Sequence, residues 1–210
     1  MKTIIDQLNW RYATKKFDAD KRISHSDLEI LKQAIQLSPS SYGLQPYKVL
    51  IIEDKAIRKQ LTPVSWGQTQ IEDASHLMVI ANRTNFDDQL IDGYLSTVSE
   101  VRNLKLEQLK GYSDFMKTKL LPLSNETKNN WTARQAYIAL GNLLTAAAVL
   151  NIDACPIEGF EPEAYNDILD LNSKNLNAVL VIPIGYRHSE DETQHYPKVR
   201  RPQSELFETI

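Results

Sequence analysis

The stretch that most constrains the fold is Trp131–Phe160. Twelve of the fifteen residues from 136 to 150 are apolar, and the exceptions are Gly141, Asn142 and Thr145. A helix that is apolar on nearly every side is expected to be buried on every side. Polar residues within the stretch leave an apolar run too short to span a bilayer. The sequence therefore predicts a central core helix.

The residues after this helix predict a turn that a ligand can approach closely. Asn151 tolerates the left-handed conformation of a helix C-cap, and residues 152–155 (IDAC) are typical of a brief buried strand. The next segment, Pro156–Phe160, combines a proline that restricts the backbone with a glycine that frees it. Such a turn beside a buried strand suits contact between a ligand and the backbone.

Three further strands are predicted by their β-branched residues, at Tyr47–Glu53, His76–Ala81 and Ala178–Ile184. Pro183 argues that the last strand lies at an edge of the sheet or is near its end there. Ser26 begins the pattern S-x-x-E and predicts a capping box at the start of a helix.

The chain length, the net charge and the number of cysteines limit the class of protein. A chain of 210 residues can form one domain or two small ones, and without a repeat or linker we expect one α+β domain over residues 1–210, with four or so strands. The net charge of -3 argues against a general binder of nucleic acids or membranes. A single cysteine excludes an internal disulfide and fits a reducing compartment. Asp6 and Asn9 interrupt the segment where a signal peptide is apolar, so a cytoplasmic location is expected.

Two cationic clusters lie at opposite ends of the chain. They are Arg11, Lys15 and Lys16 near the N-terminus and Lys198, Arg200 and Arg201 near the C-terminus. Such clusters are more often solvated surface, but the planar guanidinium of arginine also matches phosphate oxygens. If the two ends meet in the fold, they form an anion pocket.

The loop Ser38–Pro46 is rich in hydroxyl groups and turn formers. Such a loop commonly just ends a helix, but Ser40, Ser41 and Gln45 can also hydrogen-bond a polar heterocycle. The four histidines lack metal-ligand spacing, so no metal site is expected. Cys155 is expected to be a small buried hydrophobe. The glycines form neither G-x-G-x-x-G nor a Walker loop, so a nucleotide would need another cradle.

Five motifs occur in an order that resembles the FMN-dependent NAD(P)H nitroreductase family, including its oxygen-insensitive and dihydropteridine-reductase-like members. They are RYATKKFD, SPSSYGLQPYK, WGQTQIEDASH, the core helix with ACPIEGF, and YPKVRRPQ. Each motif is weak alone, but the five in order are specific and cover essentially the whole chain. The resemblance implies a nitroreductase-like fold with a central mixed or antiparallel sheet flanked by helices. It also implies an intertwined homodimer with FMN at the interface and a tail, about residues 187–210, that wraps the partner subunit.

The resemblance assigns the FMN phosphate to Arg11, Lys198 and Arg200. Lys15 would face the pyrimidine end of the flavin and support the negative charge of its reduced form. Phe115 would be a lid over the substrate. The other implied FMN contacts are Tyr12, Ala13, Thr14, Ser40, Ser41, Tyr42, Gln45, Gly67, Gln70, Pro156, Ile157, Glu158 and Gly159.

Several of these positions carry more detailed expectations. Tyr12 and Ala13 replace the small polar or basic residues usual in the family, so they would contribute mainly through the backbone. The serine-rich loop would reach the cofactor from the partner subunit. Gly67 and Gln70 fall where some relatives carry Asn and Lys, which removes a cation near the flavin and leaves the redox potential of this member open.

The resemblance also implies a mechanism. Backbone N–H groups of Glu158 and Gly159 would face flavin N5, which carries the hydride, and no side chain would be an essential catalytic acid or base. NAD(P)H and a nitroaromatic, quinone or similar flat acceptor would react in turn, giving ping-pong kinetics. NADH and NADPH remain equal alternatives.

Two other classes of function remain open from the sequence. One is an FMN-binding protein that stores or senses the cofactor without turnover. The other is a helical interaction protein whose cationic ends are solvated surface. An absorption spectrum of the purified protein and an assay of NAD(P)H oxidation separate these alternatives.

Overall fold

A four-stranded antiparallel sheet forms the centre of the protein in the computed structural model, which describes residues 3–210. Its strands are β1 (Tyr47–Ile52), β2 (His76–Arg83), β3 (Asp153–Ala154) and β4 (Leu176–Gly185). Their order across the sheet is β1–β2–β4–β3, and every neighbouring pair is antiparallel. The predicted α+β class and all four predicted strands are confirmed.

Helices flank this sheet. Within residues 3–210 they are α1 (Ile4–Trp10), α2 (His25–Gln36), α3 (Lys55–Leu61), α4 (Gln70–Asp73), α5 (Asp88–Arg102), α6 (Leu106–Leu120), α7 (Asn125–Val149), α8 (Pro162–Ile168) and α9 (Gln203–Leu206). None of these helices combines the length and the apolar character needed to cross a membrane.

The predicted capping box at Ser26 is wrong by two positions. Helix α2 begins at His25, and its N-cap is Ser24. The Ser24 hydroxyl accepts a hydrogen bond from the Asp27 N–H at 3.0 Å, which satisfies one of the free N–H groups of the first turn. Two serines two residues apart offer competing caps, and the earlier one starts the helix.

Strand β4 lies inside the sheet, so the edge interpretation of Pro183 is wrong. Pro183 sits two residues before the end of the strand, which agrees with the strand-end interpretation. Its carbonyl accepts a hydrogen bond from the Cys155 N–H at 3.1 Å. Because the neighbour β3 is two residues long, the missing proline N–H disrupts little of the ladder.

Two apolar layers lie on opposite faces of the sheet. Side chains alternate along β2, so Leu77 and Val79 pack in the layer that includes Tyr165 of α8, whereas Met78 and Ile80 pack against α2 and α7. All four of these strand residues are fully buried. A third, smaller apolar cluster lies under α5 and α6.

The prediction that α7 is buried on every side is wrong for the single chain. The helix buries one side, including Ala139 and Leu143, among the residues packed against α2 and β2. A stripe on its other side stays open, with Ile138 42% and Val149 51% exposed. The apolar character that predicted complete burial therefore leaves an uncovered apolar surface on the protomer.

Candidate functional site

The N-terminal cationic segment lies along the end of the sheet. Ala13 forms a parallel bridge with Ala154 of β3, and Phe17 forms an antiparallel bridge with Arg187, just after β4. These bridges place residues 11–17 beside the turn that follows β3.

A buried ion pair holds this segment in place. Asp153 is 3% exposed and binds Arg187, with 2.7 Å between Oδ1 and Nη2. The Arg187 guanidinium lies 4.3 Å from the centre of the Trp10 ring and 4.5 Å from that of Tyr12, a geometry that allows cation–π attraction to both. The Thr14 hydroxyl also donates to Asp153, at 3.4 Å. The Thr14 side chain thus points into the core, so this residue can contact a ligand through its backbone.

A second buried carboxylate, Asp191, fixes the same segment from the other side. It accepts hydrogen bonds from the Tyr12 hydroxyl at 2.9 Å, the Lys15 N–H at 2.8 Å and the Lys16 N–H at 3.1 Å. Burial acts to raise the pKa of Asp191, but the hydrogen bonds from Thr193 and from the two lysine N–H groups outweigh it and lower the pKa. The carboxylate therefore stays charged and binds backbone N–H and hydroxyl groups rather than a cation.

The two cationic ends of the chain meet. Lys198 Nζ donates to the Leu8 carbonyl at 2.7 Å and to the Arg11 carbonyl, and together with Arg11 and Arg200 it lines a cavity of about 350 Å³. Burial and the charge of Arg200 lower the pKa of Arg11. Burial and both arginines lower the pKa of Lys198. The described residues that line this cavity include no carboxylate, so the cluster offers its charge to an anion.

The other two lysines of the N-terminal cluster face different surroundings. Lys16 forms an ion pair with Glu190, and both side chains are exposed. Burial raises the pKa of Cys155, and the positive charges of Lys15 and Arg11 act in the opposite direction. Cys155 is 1% exposed, as expected for a small hydrophobe. Both lysines are exposed, but only Lys16 is paired with a carboxylate among residues 3–210.

The turn after β3 presents two free backbone donors. The Ile157 N–H donates to the Val181 carbonyl at 2.8 Å, so this N–H serves the sheet and is not available to a ligand. The next two N–H groups, of Glu158 and Gly159, have no acceptor in the part of the chain that the structure describes. Neither residue is buried, so a ligand can approach this part of the turn.

The loop that contains Gly67 packs against this turn. Trp66 lies so close to Gly159 that a Cβ atom there would be 2.6 Å from the indole ring. Gln68 Nε2 donates to the Gly159 carbonyl at 3.0 Å. Trp66 and Gly67 have left-handed φ angles of 57° and 71°, which bring the chain back toward the turn. Gln70 is 6% exposed in α4, so its side chain is packed inside.

The side chain of Glu158 is held by α7. The Tyr137 hydroxyl donates to Glu158 Oε1 at 2.5 Å. Burial and this bond to the carboxylate raise the pKa of Tyr137 to about 12. The phenol is therefore protonated and donating at neutral pH.

The hydroxyl-rich loop forms a separate site. The Ser41 N–H donates to Gln135 Oε1 of α7 at 2.8 Å, and the Gln45 N–H donates to the Ser40 hydroxyl at 2.9 Å. Tyr42 and Gln45 have positive φ angles of 58° and 40°, a strained backbone that is frequent at functional sites. Phe115 of α6 is half exposed, and its ring centre lies 6.4 Å from that of Tyr42.

We name these two groups of predicted residues separately. The cationic half-site is Arg11–Lys15, Pro156–Gly159, Lys198 and Arg200, with Gly67 beside it, and the hydroxyl half-site is Ser40–Gln45 with Phe115. No hydrogen bond, ion pair or ring contact among residues 3–210 joins them. Gln135 and Tyr137, which hold one half-site each, are two positions apart on α7 and so lie on different sides of the helix.

Sequence reasoning missed the residues that support the pocket. They are Trp10, Gln68, Tyr137, Asp153, Arg187 and Asp191. One signal was available: Asp153 stands alone in the apolar segment IDAC, and a carboxylate in a buried strand needs a cationic partner. The others gave no local signal, because their partners lie far away in the sequence. Within residues 3–210, no three His, Cys, Asp or Glu side chains come close enough together to hold a metal ion.

Fold and site together define an α+β protein whose chain ends close around a cationic pocket beside a turn with free N–H groups. The model of the nitroreductase family matches residues 8–186. The Staphylococcus saprophyticus protein named "Putative NAD(P)H nitroreductase SSP0379" is 36% identical over 216 residues, which cover 99% of this chain and 97% of that protein. The chain belongs to the nitroreductase family.

Solved structures support the fold. The Bacillus subtilis protein ydfN has a TM-score of 0.87 at 20% identity, with 98% of each chain covered. A nitroreductase-like structure from Exiguobacterium sibiricum, crystallised in complex with FMN, has a TM-score of 0.84 at 19% identity and covers 100% of this chain and 98% of its own. At these identities the likeness concerns the fold.

Proposed function

We propose that the protein is an FMN-dependent oxidoreductase that uses NAD(P)H to reduce nitroaromatics, quinones or related flat acceptors. The observation that carries this proposal is the meeting of Arg11, Lys198 and Arg200 around a cavity of about 350 Å³ whose described lining has no carboxylate. Such a cluster suits the phosphate of FMN. The family, the name of the staphylococcal relative and the FMN in the Exiguobacterium structure support the same cofactor.

The cations have distinct tasks in this proposal. Arg11 and Arg200 would make charge-assisted hydrogen bonds to the phosphate. Lys198 would contribute mainly charge, because two of its three N–H donors are taken by the Leu8 and Arg11 carbonyls. Lys15 would offset the negative charge of the reduced ring.

The turn after β3 would hold the reactive part of the ring. Glu158 and Gly159 would donate hydrogen bonds to it through their free N–H groups. Residue 159 must be glycine, because the Trp66 ring fills the space that a Cβ atom would need. When bound, FMN would supply the redox chemistry between NAD(P)H and the acceptor, and two separate half-reactions predict ping-pong kinetics.

No side chain is proposed as an essential acid or base. The Cys155 thiol is buried with a raised pKa, and the Glu158 carboxylate is bound by Tyr137. Glu158→Gln and Cys155→Ser should therefore keep kcat within about tenfold, a barrier change of roughly 1.4 kcal/mol. Lys15→Ala should slow flavin reduction more than either. A loss of several orders of magnitude in Glu158→Gln with FMN still bound would make the carboxylate a catalytic group.

We also propose a homodimer in which the hydroxyl half-site of one subunit completes the cationic half-site of the other. Its support is the open apolar surface: Ile5 of α1 is 60% exposed, Ile138 of α7 42%, and Val199 and Phe207 of the tail 83% and 73%. Apolar surface of this extent favours burial against another chain. The tail from residue 187 would wrap the partner. Light scattering of the active holoprotein should give twice the protomer mass, and a single protomer mass contradicts the proposal.

The decisive experiment is purification followed by spectroscopy and an assay. The protein should be yellow, heat should release FMN, and NAD(P)H should be oxidised with menadione or nitrofurazone as acceptor. FAD in place of FMN, or no flavin after reconstitution, contradicts the proposal. Bound FMN without turnover would instead favour the alternative, a storage or sensing protein. The proposal includes a cytoplasmic location, supported by the single cysteine.

A further inference from the structure

The free section of the turn after β3 is oriented by side chains rather than by its own backbone. The chain leaves the sheet after Ile157 and is next fixed where the Glu161 N–H donates to the Val64 carbonyl at 2.8 Å. Between these points the described chain makes one hydrogen bond from backbone to backbone, from the Phe160 N–H to the Glu158 carbonyl at 3.0 Å. The direction of the two free N–H groups therefore depends on what holds residues 158 and 159 from outside.

Two side-chain donors reach this section. Gln68 Nε2 binds the Gly159 carbonyl, but it divides its donors between that carbonyl and the Ser65 carbonyl, each at 3.0 Å. The Tyr137 hydroxyl has one acceptor, Glu158 Oε1, at 2.5 Å. A bond of this length from a hydroxyl to a carboxylate belongs to the strong, charge-assisted class. Tyr137 makes the sole hydrogen bond to the Glu158 carboxylate within residues 3–210.

The two partners differ in rigidity. Tyr137 stands inside the 25-residue helix α7, and its neighbours Ala136 and Ala139 are fully buried. Glu158 lies in a turn outside any strand or helix. The rigid partner sets the position of the movable one, as support for a functional site requires. Because the pKa of Tyr137 is raised to about 12, its donor role persists across the neutral range.

We propose that Tyr137 is a positioning residue that, through the Glu158 carboxylate, fixes the direction of the Glu158 and Gly159 N–H groups and thereby tunes the redox potential of the flavin. This inference rests on the proposed function, in which FMN occupies the cationic half-site. N–H donors favour the oxidised ring, because the ring nitrogen that accepts their hydrogen bond becomes protonated on reduction. Loss of the Tyr137 hydroxyl should therefore raise the potential.

A purely structural role predicts a different result. Tyr137 is 41% exposed, and an exposed polar pair of this kind contributes little to stability. If the bond is only a surface contact without influence on the turn, its removal changes neither the midpoint potential of the flavin nor the affinity for FMN. If Tyr137 serves subunit contact, its removal changes the oligomeric state and leaves the potential unchanged.

The experiment is a double-mutant cycle on the FMN-loaded protein, with Tyr137→Phe, Glu158→Ala and the double variant. Midpoint potentials are measured by spectroscopic titration against a reference dye, and dissociation constants of oxidised FMN by fluorescence. In Tyr137→Phe the preference for oxidised over reduced FMN should fall by about threefold to tenfold, an upward shift of up to about 30 mV at 29.6 mV per tenfold for two electrons. Tyr112→Phe is the matched control, since Tyr112 is 40% exposed and its hydroxyl has no hydrogen bond in the described part of the chain.

The cycle distinguishes action through Glu158 from other effects. We expect the shift caused by Tyr137→Phe to disappear in the Glu158→Ala background. The inference is overturned if Tyr137→Phe causes no shift, or if it causes the same shift with and without Glu158→Ala. The proposed function is unaffected by either result as long as the protein binds FMN. Absence of bound FMN in the unmodified protein overturns both.

Discussion

The cationic and hydroxyl half-sites are built in opposite ways. The cationic half-site joins segments from both chain ends, and its N-terminal segment is fixed by Asp153 and Asp191, more than 130 positions away in the sequence. The hydroxyl half-site is a loop whose turn is closed locally, by the bond from the Gln45 N–H to the Ser40 hydroxyl, with Gln135 as one distant anchor. The cationic half-site, which brings like charges together, depends on contacts between distant segments. The hydroxyl half-site depends mainly on a local turn.

The difference follows from electrostatics. Like charges brought together are unfavourable, and partial burial adds a desolvation cost. The two buried carboxylates offset part of this cost without neutralising the pocket, because Asp153 pairs with Arg187 and Asp191 binds backbone N–H groups. The three pocket cations consequently remain available to a ligand. The hydroxyl half-site carries no comparable electrostatic cost, because it gathers no like charges. Its loop is partly exposed and has a strained backbone at Tyr42 and Gln45.

The largest expected effect comes from Asp153→Ala, which removes the support of the cationic half-site. The Arg187 guanidinium, 20% exposed, would lose its counter-charge. Removing one partner of a buried ion pair costs about 3–5 kcal/mol. The free energy of unfolding, measured by urea denaturation, should fall by that amount, and FMN should be lost.

Glu190→Ala is the matched control for this change. It removes the partner of Lys16 in an ion pair whose side chains are 47% and 69% exposed. An exposed pair contributes little to stability, because water screens its charges. Equal losses in the two variants would show that the cationic half-site does not depend on its buried pair.

The next effect concerns the cations themselves. Arg11→Ala and Arg200→Ala should each weaken FMN binding about tenfold to a hundredfold, because a hydrogen bond to a charged group contributes roughly 1.5–3 kcal/mol. Lys16→Ala, at the surface beside the pocket, should bind FMN normally. Fluorescence titration of the apoprotein measures all three, and equal losses at the three positions would place the phosphate elsewhere.

The same contrast explains what the sequence could predict. The strands, the core helix and the turn Pro156–Phe160 follow from local patterns, since β-branched runs and apolar periodicity act over a few residues. Asp191 and Tyr137 gave no such signal, because an aspartate in a polar tail and a tyrosine in a helix acquire their roles from partners about 175 and 21 positions away. The open side of α7 was also missed, since an apolar helix surface is the same in sequence whether its own chain or another covers it.

A smaller effect is expected in the hydroxyl half-site. Gln135→Leu removes the acceptor of the Ser41 N–H, and leaving such a group unsatisfied costs about 1–3 kcal/mol. The free energy of unfolding should fall within that range, and FMN binding should weaken less than in Arg11→Ala. Gln33→Leu, at an exposed position of α2, is the control. A loss of FMN affinity larger than that of Arg11→Ala would reverse the ranking of the two half-sites.

The smallest effect is a pH dependence of the cationic half-site. Hydrogen bonds from Thr193, Lys16 and Lys15 lower the pKa of Asp191 below its ordinary value of 3.8, despite burial. A carboxyl whose pKa is lower in the folded than in the unfolded state stabilises the fold above the ordinary value, and this contribution is lost as the pH falls through the folded pKa. The difference in unfolding free energy between the unmodified protein and Asp191→Asn should thus be constant from neutral pH down to about pH 5 and narrow below pH 4. Asp114→Asn, at an exposed carboxylate of α6, corrects for general acid effects. A difference that stays constant, or widens, as the pH falls below 4 would mean that Asp191 does not hold the segment through its charge.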